Sequence, residues 1–199
     1  FLYESYGFPL ELTEEIAKDR GQKINKEEFE KEFEKHKELS RTASAGMFKG
    51  GLVDSSQEAT KLHTATHLLH ASLRKILGES VSQKGSNITS ERLRFDFSHP
   101  QKLTGEEMTQ VEDLINLQIE KNLPVKYGVM SLDEAVKSGV LHFFAEKYGK
   151  EVKVYKIGDF SMEICGGPHV THTGEIGHVK INREEKVGAG ILRIYAKLG

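Results

Sequence analysis

From Thr60 to Leu77 apolar side chains return every three or four positions, at Leu62, Ala65, Leu69, Leu73 and Ile76. That period predicts a helix with one buried face, ended by Gly78. His63, His67 and His70 fall on a separate stripe beside that face, along an edge where a cleft can open. Leu93-Arg-Phe-Asp-Phe97 alternates instead, so it reads as a strand with Leu93, Phe95 and Phe97 inward and Arg94 and Asp96 on the other side. Between them, Val81 to Ile88 is polar and reads as a turn region. Thr104-Gly-Glu-Glu107 is a capping box that opens a helix to about Asn122, limited by Pro124. Val125–Met130 reads as a strand, and Ser131-Leu-Asp-Glu134 caps a short helix stopped by Gly139. Further strands are expected at Val152–Ile157, Phe160–Ile164, Ile176–Ile181 and Ile191–Ala196. The pattern as a whole is α+β: a helical N-terminal appendage, then a mixed domain with an antiparallel-rich sheet packed by helices.

The appendage carries weaker patterning. Phe1 to Pro9 reads as an aromatic-rich loop, and a short helix comes after it with Thr13 as N-cap and Gly21 as its stop. Asn25-Lys-Glu-Glu28 resembles a capping box and opens a charged helix to about Ala45. Phe29 and Phe33 give that helix a narrow apolar stripe. Lys31, Lys35, Lys37 and Arg41 are interleaved with acidic residues, which favours a solvated connecting helix over a phosphate contact. Helical periodicity fails over residues 46–60, where Gly46, Gly50 and Gly51 precede Asp54-Ser-Ser56. The domain boundary is therefore placed near residue 50, giving segments 1–50 and 51–199.

Composition narrows the class. Hydrophobic content of 37% and charged content of 29% describe a globular chain with a polar surface. Apolar runs fall far short of a membrane span, so no membrane partner is expected. The net charge of −2 gives no global pull toward nucleic acid, and RNA contact must use local basic patches. A single cysteine excludes an internal disulfide and fits a reducing, cytoplasmic setting. The chain begins at Phe1 without a Met or a signal-peptide pattern and is expected to be a piece of a longer protein, acting as a monomer.

Chemistry concentrates in two places. His63-Thr-Ala-Thr-His67 puts two imidazoles at i and i+4 on one helix face. Cys165-Gly-Gly-Pro-His169 puts a thiol and an imidazole four apart in a Gly-rich turn. Either pair alone is commonplace. Together they supply three imidazoles and one thiolate, a donor set that suits tetrahedral Zn²⁺. The expected ligands are His63, His67, Cys165 and His169, with His70 or His172 able to exchange for the fourth.

These segments together resemble the alanyl-tRNA synthetase family, in its editing region. His63-Thr-Ala-Thr-His-Leu-Leu-His70 is similar to that family's His-x-x-x-His helix. Val81-Ser-Gln-Lys-Gly-Ser86 and Leu93 to His99 are similar to the family segments on the C-terminal side of that helix. Ala145-Glu-Lys-Tyr-Gly149, Glu163 to Val170 and Thr173-Gly-Glu-Ile-Gly177 resemble its later half. Tyr3 to Ile16 resembles the end of its aminoacylation and tRNA-recognition region. Two features depart from the family. Pro168 stands where Thr is usual, as it does in the related threonyl-tRNA synthetase module, and it has no N–H to donate. Only Gly46 to Lys61 occupy the place where a β-barrel with a Gly-Gly-Gln stretch normally lies.

The resemblance implies hydrolysis of serine or glycine misattached to alanine's tRNA, with the acceptor end of tRNA(Ala) as partner. A second site is physically needed, because a pocket for alanine cannot exclude glycine and rejects an added hydroxyl by only about 10²-fold. The resemblance further implies one Zn²⁺, with ATP and Mg²⁺ belonging to a ligase domain outside this chain. Gln83, in the polar turn, and Thr64 are the catalytic candidates; Arg94 and Lys84 are the candidates for substrate or tRNA contact. Two alternatives stand beside this: a tRNA-binding module in which zinc only staples the fold, and a threonyl-type editing module.

Overall fold

The computed structural model describes residues 13, 16–18, 20–22, 24–26, 28–31, 56–141, 151–188 and 190–199. The chain divides into two compact units, Phe1–Gly46 and Met47–Gly199. The expected loop at Phe1–Pro9, the charges at Lys35, Lys37 and Arg41, the boundary near residue 50 and the Ala145–Gly149 stretch lie outside the described residues.

In the first unit, Thr13 is itself helical rather than the cap. Gly21, at φ 69°, closes that helix: its N–H donates to the Lys18 carbonyl, and the Gln22 N–H donates to the Ala17 carbonyl. These paired bonds satisfy carbonyls that a helix end leaves orphaned. Asn25 caps the next helix by accepting the Glu28 N–H at 3.2 Å.

The second unit is built around α1, Gln57–Leu77. It begins earlier than its apolar period suggests, because Ser56 caps it by accepting the Ala59 N–H at 3.1 Å. Residues 57–60, expected in a linker, are therefore its first turn. Every residue from Leu62 to Leu73 is buried. A helix buried all round must lie between two layers.

One layer is a four-stranded antiparallel sheet in the order β1-β2-β7-β6, comprising Gln83–Ile88, Leu93–Ser98, Ile191–Leu198 and Val179–Gly188. Leu93, Phe95 and Phe97 face inward as the alternation requires, opposite Ala196, Ile194 and Leu192. Each such burial contributes about 1.5–3 kcal/mol. The expected polar turn around Gln83 is strand β1 instead. Pairing with β2 satisfies its backbone, and an irregularity between Gln83 and Gly85 absorbs the poor strand propensity. The expected strand at Ile176–Ile181 is also displaced. Thr173–Ile176 form a 3₁₀ turn, and the strand runs from Val179 to Gly188.

Helix α2, Gly105–Glu120, packs beside α1 and carries the expected capping box, with Thr104 and Glu107 exchanging bonds of 2.7 and 3.1 Å. The other layer is a three-stranded antiparallel sheet in the order β3-β4-β5, Val125–Ser131, Glu151–Ile157 and Ser161–Ile164. Helix α3, Leu132–Lys137, opens with the Ser131–Glu134 capping box and closes near Gly139, at φ 71°. It covers one face of this sheet through Ala135, Val140, Val152, Val154 and Ile164. The opposite face is turned to the histidines of α1.

Candidate metal centre

Period two decides what that face carries. On β5 and just past it, Ser161, Glu163 and Cys165 point one way, and Met162 and Ile164 the other. Tyr155 and Lys153 on β4 share the side of Glu163 and Cys165. This face meets the edge of α1 that bears His63 and His67, one turn apart. The turn after Cys165 returns His169 to the same point.

Four donor atoms, from His63, His67, Cys165 and His169, lie within 4.8 Å of one another. The Cys165 Sγ is 3.3 Å from His63 Nε2 and 3.4 Å from His169 Nε2. A tetrahedral cation with metal–sulfur bonds of about 2.3 Å and metal–nitrogen bonds of about 2.0–2.1 Å spaces its donors about 3.3–3.6 Å apart. The cluster is thus already near ligand spacing.

Each imidazole is turned the same way by a partner on its outer nitrogen. His63 Nδ1 donates to the Pro168 carbonyl at 2.9 Å, and His67 Nδ1 to Glu163 Oε2 at 2.6 Å. His169 Nδ1 lies 3.1 Å from Thr64 Oγ1, which also accepts the Val170 N–H at 3.2 Å. With Nδ1 engaged, every ring turns its Nε2 inward, the orientation a metal requires. His67 Nε2 is buried and has no hydrogen-bond partner among the described residues. An orphaned buried nitrogen is costly, and a cation among these donors would satisfy it. The residues fit one metal ion.

The charges of the cluster are strongly coupled, and a cation bound at His67 Nε2 would displace the second ring proton that Glu163 and Cys165 otherwise hold there. Burial opposes ionisation of Cys165, but the His63 charge and hydrogen bonds from the imidazoles hold the thiol well below its usual range. Burial likewise opposes a charge on His67 and is the largest single influence, yet Glu163 and Cys165 together outweigh it and lift the imidazole to about 10. Burial drives His169 down to about 3, reinforced by the neighbouring imidazoles. Burial would raise Glu163, but His67 and His70 keep it well below the carboxylate range.

The other expected residues take various places. Thr64 is fully buried; its hydroxyl donates to the Thr60 carbonyl and steadies His169. Thr66, the other threonine between His63 and His67, bonds back to the Leu62 carbonyl at 2.8 Å and packs within the helix. Gln83 donates from its amide to Ser86 Oγ at 3.1 Å, and Lys84 is exposed on β1. Arg94 Nε is 3.6 Å from Asp96, whose carboxylate is held bidentately by Arg193 at 2.7 and 2.9 Å. His70 is not in the donor cluster: its Nδ1 binds the second oxygen of Glu163 at 3.0 Å. His172 is exposed and caps the 3₁₀ turn. Pro168's missing N–H costs nothing here, because the site uses its carbonyl.

Sequence reasoning overlooked Glu163, which bridges His67 and His70 and accepts from Ser161 at 3.1 Å. A signal was present: a carboxylate two residues before Cys165 on a strand must share its face. It also overlooked Tyr155, whose ring centre is 4.1 Å from that of His169. The 3₁₀ turn that comes after His169 is held against the C-terminal end of α2. Thr173 Oγ1 donates to the Gln118 carbonyl at 2.8 Å, and a Cβ on Gly174 would overlap Asn122 Oδ1.

Comparison with known proteins adds a family to this geometry. Residues 152–195 match the model described as threonyl and alanyl tRNA synthetase second additional domain, and residues 1–92 match tRNA synthetases class II (A). An alanine–tRNA ligase from Treponema denticola is 56% identical over 99% of this chain and 33% of its own length. One from Borrelia hermsii is 55% identical over the same shares. The match to both runs through the short Gly46–Lys61 connection. One from Nitrosococcus oceani is 54% identical over 69% of this chain and 16% of its own length. Among the described residues no helix is long and apolar enough to cross a membrane. The chain spans about a third of the length of the first two relatives, and with that identity across nearly all of its residues it belongs to the alanyl-tRNA synthetase family.

Proposed function

We propose that the Met47–Gly199 unit is an editing module that hydrolyses the ester joining serine or glycine to tRNA(Ala). The observation that supports it most is the convergence of His63, His67, Cys165 and His169 with all three outer imidazole nitrogens already engaged. The ion these four would hold is Zn²⁺, by the mix of one thiolate and three imidazoles. Bound zinc supplies Lewis acidity and, where a position is open, a water of lowered pKa.

The chain's own residues do the rest. Glu163 fixes His67 and Thr64 fixes His169, so the donors are preorganised before any ligand arrives. Tyr155 and the buried wall of α1 exclude water from one side of the cluster. Gln83 and Lys84 on β1, with Arg94 on β2, are the polar groups proposed to meet the substrate and its phosphates. Alanine–tRNA ligases attach alanine to tRNA with ATP; that activity of the longer relatives, with its ATP and Mg²⁺, is proposed to lie outside this chain. Because the curated relatives quoted are alanine enzymes, tRNA(Ala) is preferred over a threonyl-type substrate.

One observation favours a second reading. His63, His67 and Cys165 are 2%, 7% and 8% exposed, and four protein donors close a tetrahedron. Closed sites of that kind are structural. The deciding experiment is deacylation of Ser-tRNA(Ala) by the protein and by the Cys165→Ala/His67→Ala double variant. Hydrolysis by the parent alone, with circular dichroism of both folded, is expected. A zinc-loaded parent that hydrolyses nothing would leave the metal a purely structural role.

A further inference from the structure

The face of the small sheet that carries Glu163 and Cys165 continues outward past the donors. Tyr127 on edge strand β3 sits directly opposite Tyr155 on β4, with ring centres 5.4 Å apart. Tyr155 is buried and touches His169. Lys153 lies on the same face; its Nζ is 3.9 Å from the centre of the Tyr127 ring and 5.3 Å from that of Tyr155. It donates to the Tyr155 hydroxyl at 3.3 Å, and its carbonyl accepts the Cys165 N–H at 3.0 Å. Metal donors, buried ring, ammonium and exposed ring thus form an unbroken line from the centre to solvent.

The outer end of that line is unusual for a sheet edge. Tyr127 is 60% exposed and Val129, two residues on, is 63% exposed. Native edges are usually blunted by charge or bulges, and large apolar groups left there mark a contact. Among the described residues Lys153 has no carboxylate partner, so its charge is available to an anion. An exposed aromatic ring with a cation against it is the pairing that holds single-stranded nucleic acid: bases stack on the ring, and the ammonium meets the phosphate.

We propose that Tyr127 and Lys153 form a landing platform for the single-stranded 3′ end of tRNA, with the terminal base on Tyr127 and its phosphate on Lys153. Tyr155 then connects the platform to His169 at the metal centre. This rests on the reading of the chain as a module that acts on tRNA, but not on its hydrolysing anything.

The test is fluorescence anisotropy with an RNA minihelix of the alanine acceptor stem, with and without its single-stranded 3′ end. The full chain should prefer the intact minihelix. Tyr127→Ala should weaken that binding about five- to a hundred-fold while leaving the trimmed minihelix unchanged. Tyr127→Phe, which keeps the ring, should bind like the parent. Lys153→Gln should weaken binding and lower the salt slope by about one counterion. Zinc content and thermal unfolding, measured on each variant, confirm that the centre is intact. Equal binding of intact and trimmed RNA by the parent, or Tyr127→Ala binding the intact RNA like the parent, would overturn the platform. So would finding that Tyr127 is needed only for strand pairing with a protein partner. Loss on Tyr127→Ala in a protein that deacylates nothing would keep the platform and remove the hydrolase. Deacylation with KM unchanged by Tyr127→Ala would keep the hydrolase and remove the platform.

Discussion

The two faces of the three-stranded sheet are built from alternate residues of the same strands, yet they solve different problems. Toward α3, Val152, Val154 and Ile164 meet Ala135 and Val140, and any well-fitting apolar group would serve. On the other face, Tyr155, Glu163 and Cys165 meet imidazoles and Lys153 meets the two tyrosine rings, and each polar atom needs one particular partner at one distance. The first face is tolerant and contributes stability. The second is specific, and it leaves the buried His67 Nε2 unsatisfied. Buried polar networks are maintained at such cost where chemistry or a ligand needs them.

The largest expected separation of the two faces comes from Cys165→Ala. It should abolish stoichiometric zinc binding, measured by elemental analysis, while the α3 face keeps its packing. Val154→Ala should do the reverse: a loss of about 2 kcal/mol in denaturant unfolding, from lost burial and a small cavity, with zinc content unchanged. If Val154→Ala also removed the metal, the faces would not be independent.

Glu163→Gln comes next. It keeps the shape but removes the charge that orients His67 and His70, and zinc affinity should fall about 10- to 100-fold in a chelator competition. Thr64→Val should reach toward the lower end of that range, since it removes the oxygen that steadies His169 and receives the Val170 N–H. The smallest effect lies away from both faces. Thr104→Ala removes the α2 cap and should cost about 1 kcal/mol of stability with no change in zinc affinity.

Much of this architecture was legible because local rules and global packing agree. The capping boxes at Thr104 and Ser131, the alternation of Leu93 to Phe97 and the stop at Gly78 are short-range signals, and each is where the pattern puts it. The four donors were legible because helical and turn spacing bring each pair together; only their meeting across some hundred residues needed the fold. What was missed depends on long-range pairing. Gln83 lies on a strand because β2 offers it a partner, which its own polar neighbours do not announce. The helix start at Gln57 was hidden because its first turn carries no apolar period, only the Ser56 cap. Thr64, a catalytic candidate in the sequence, has its hydroxyl engaged with His169 and Val170 in the fold, partners that only the fold reveals. Glu163 was readable from its two-residue offset from Cys165, but its two histidine partners were not.

The measurement that bears most directly on the centre is X-ray absorption at the zinc edge of the purified chain. One sulfur at about 2.3 Å and three nitrogens at about 2.0–2.1 Å would match Cys165 with His63, His67 and His169. A folded protein without zinc, or a zinc shell without sulfur, would contradict the centre.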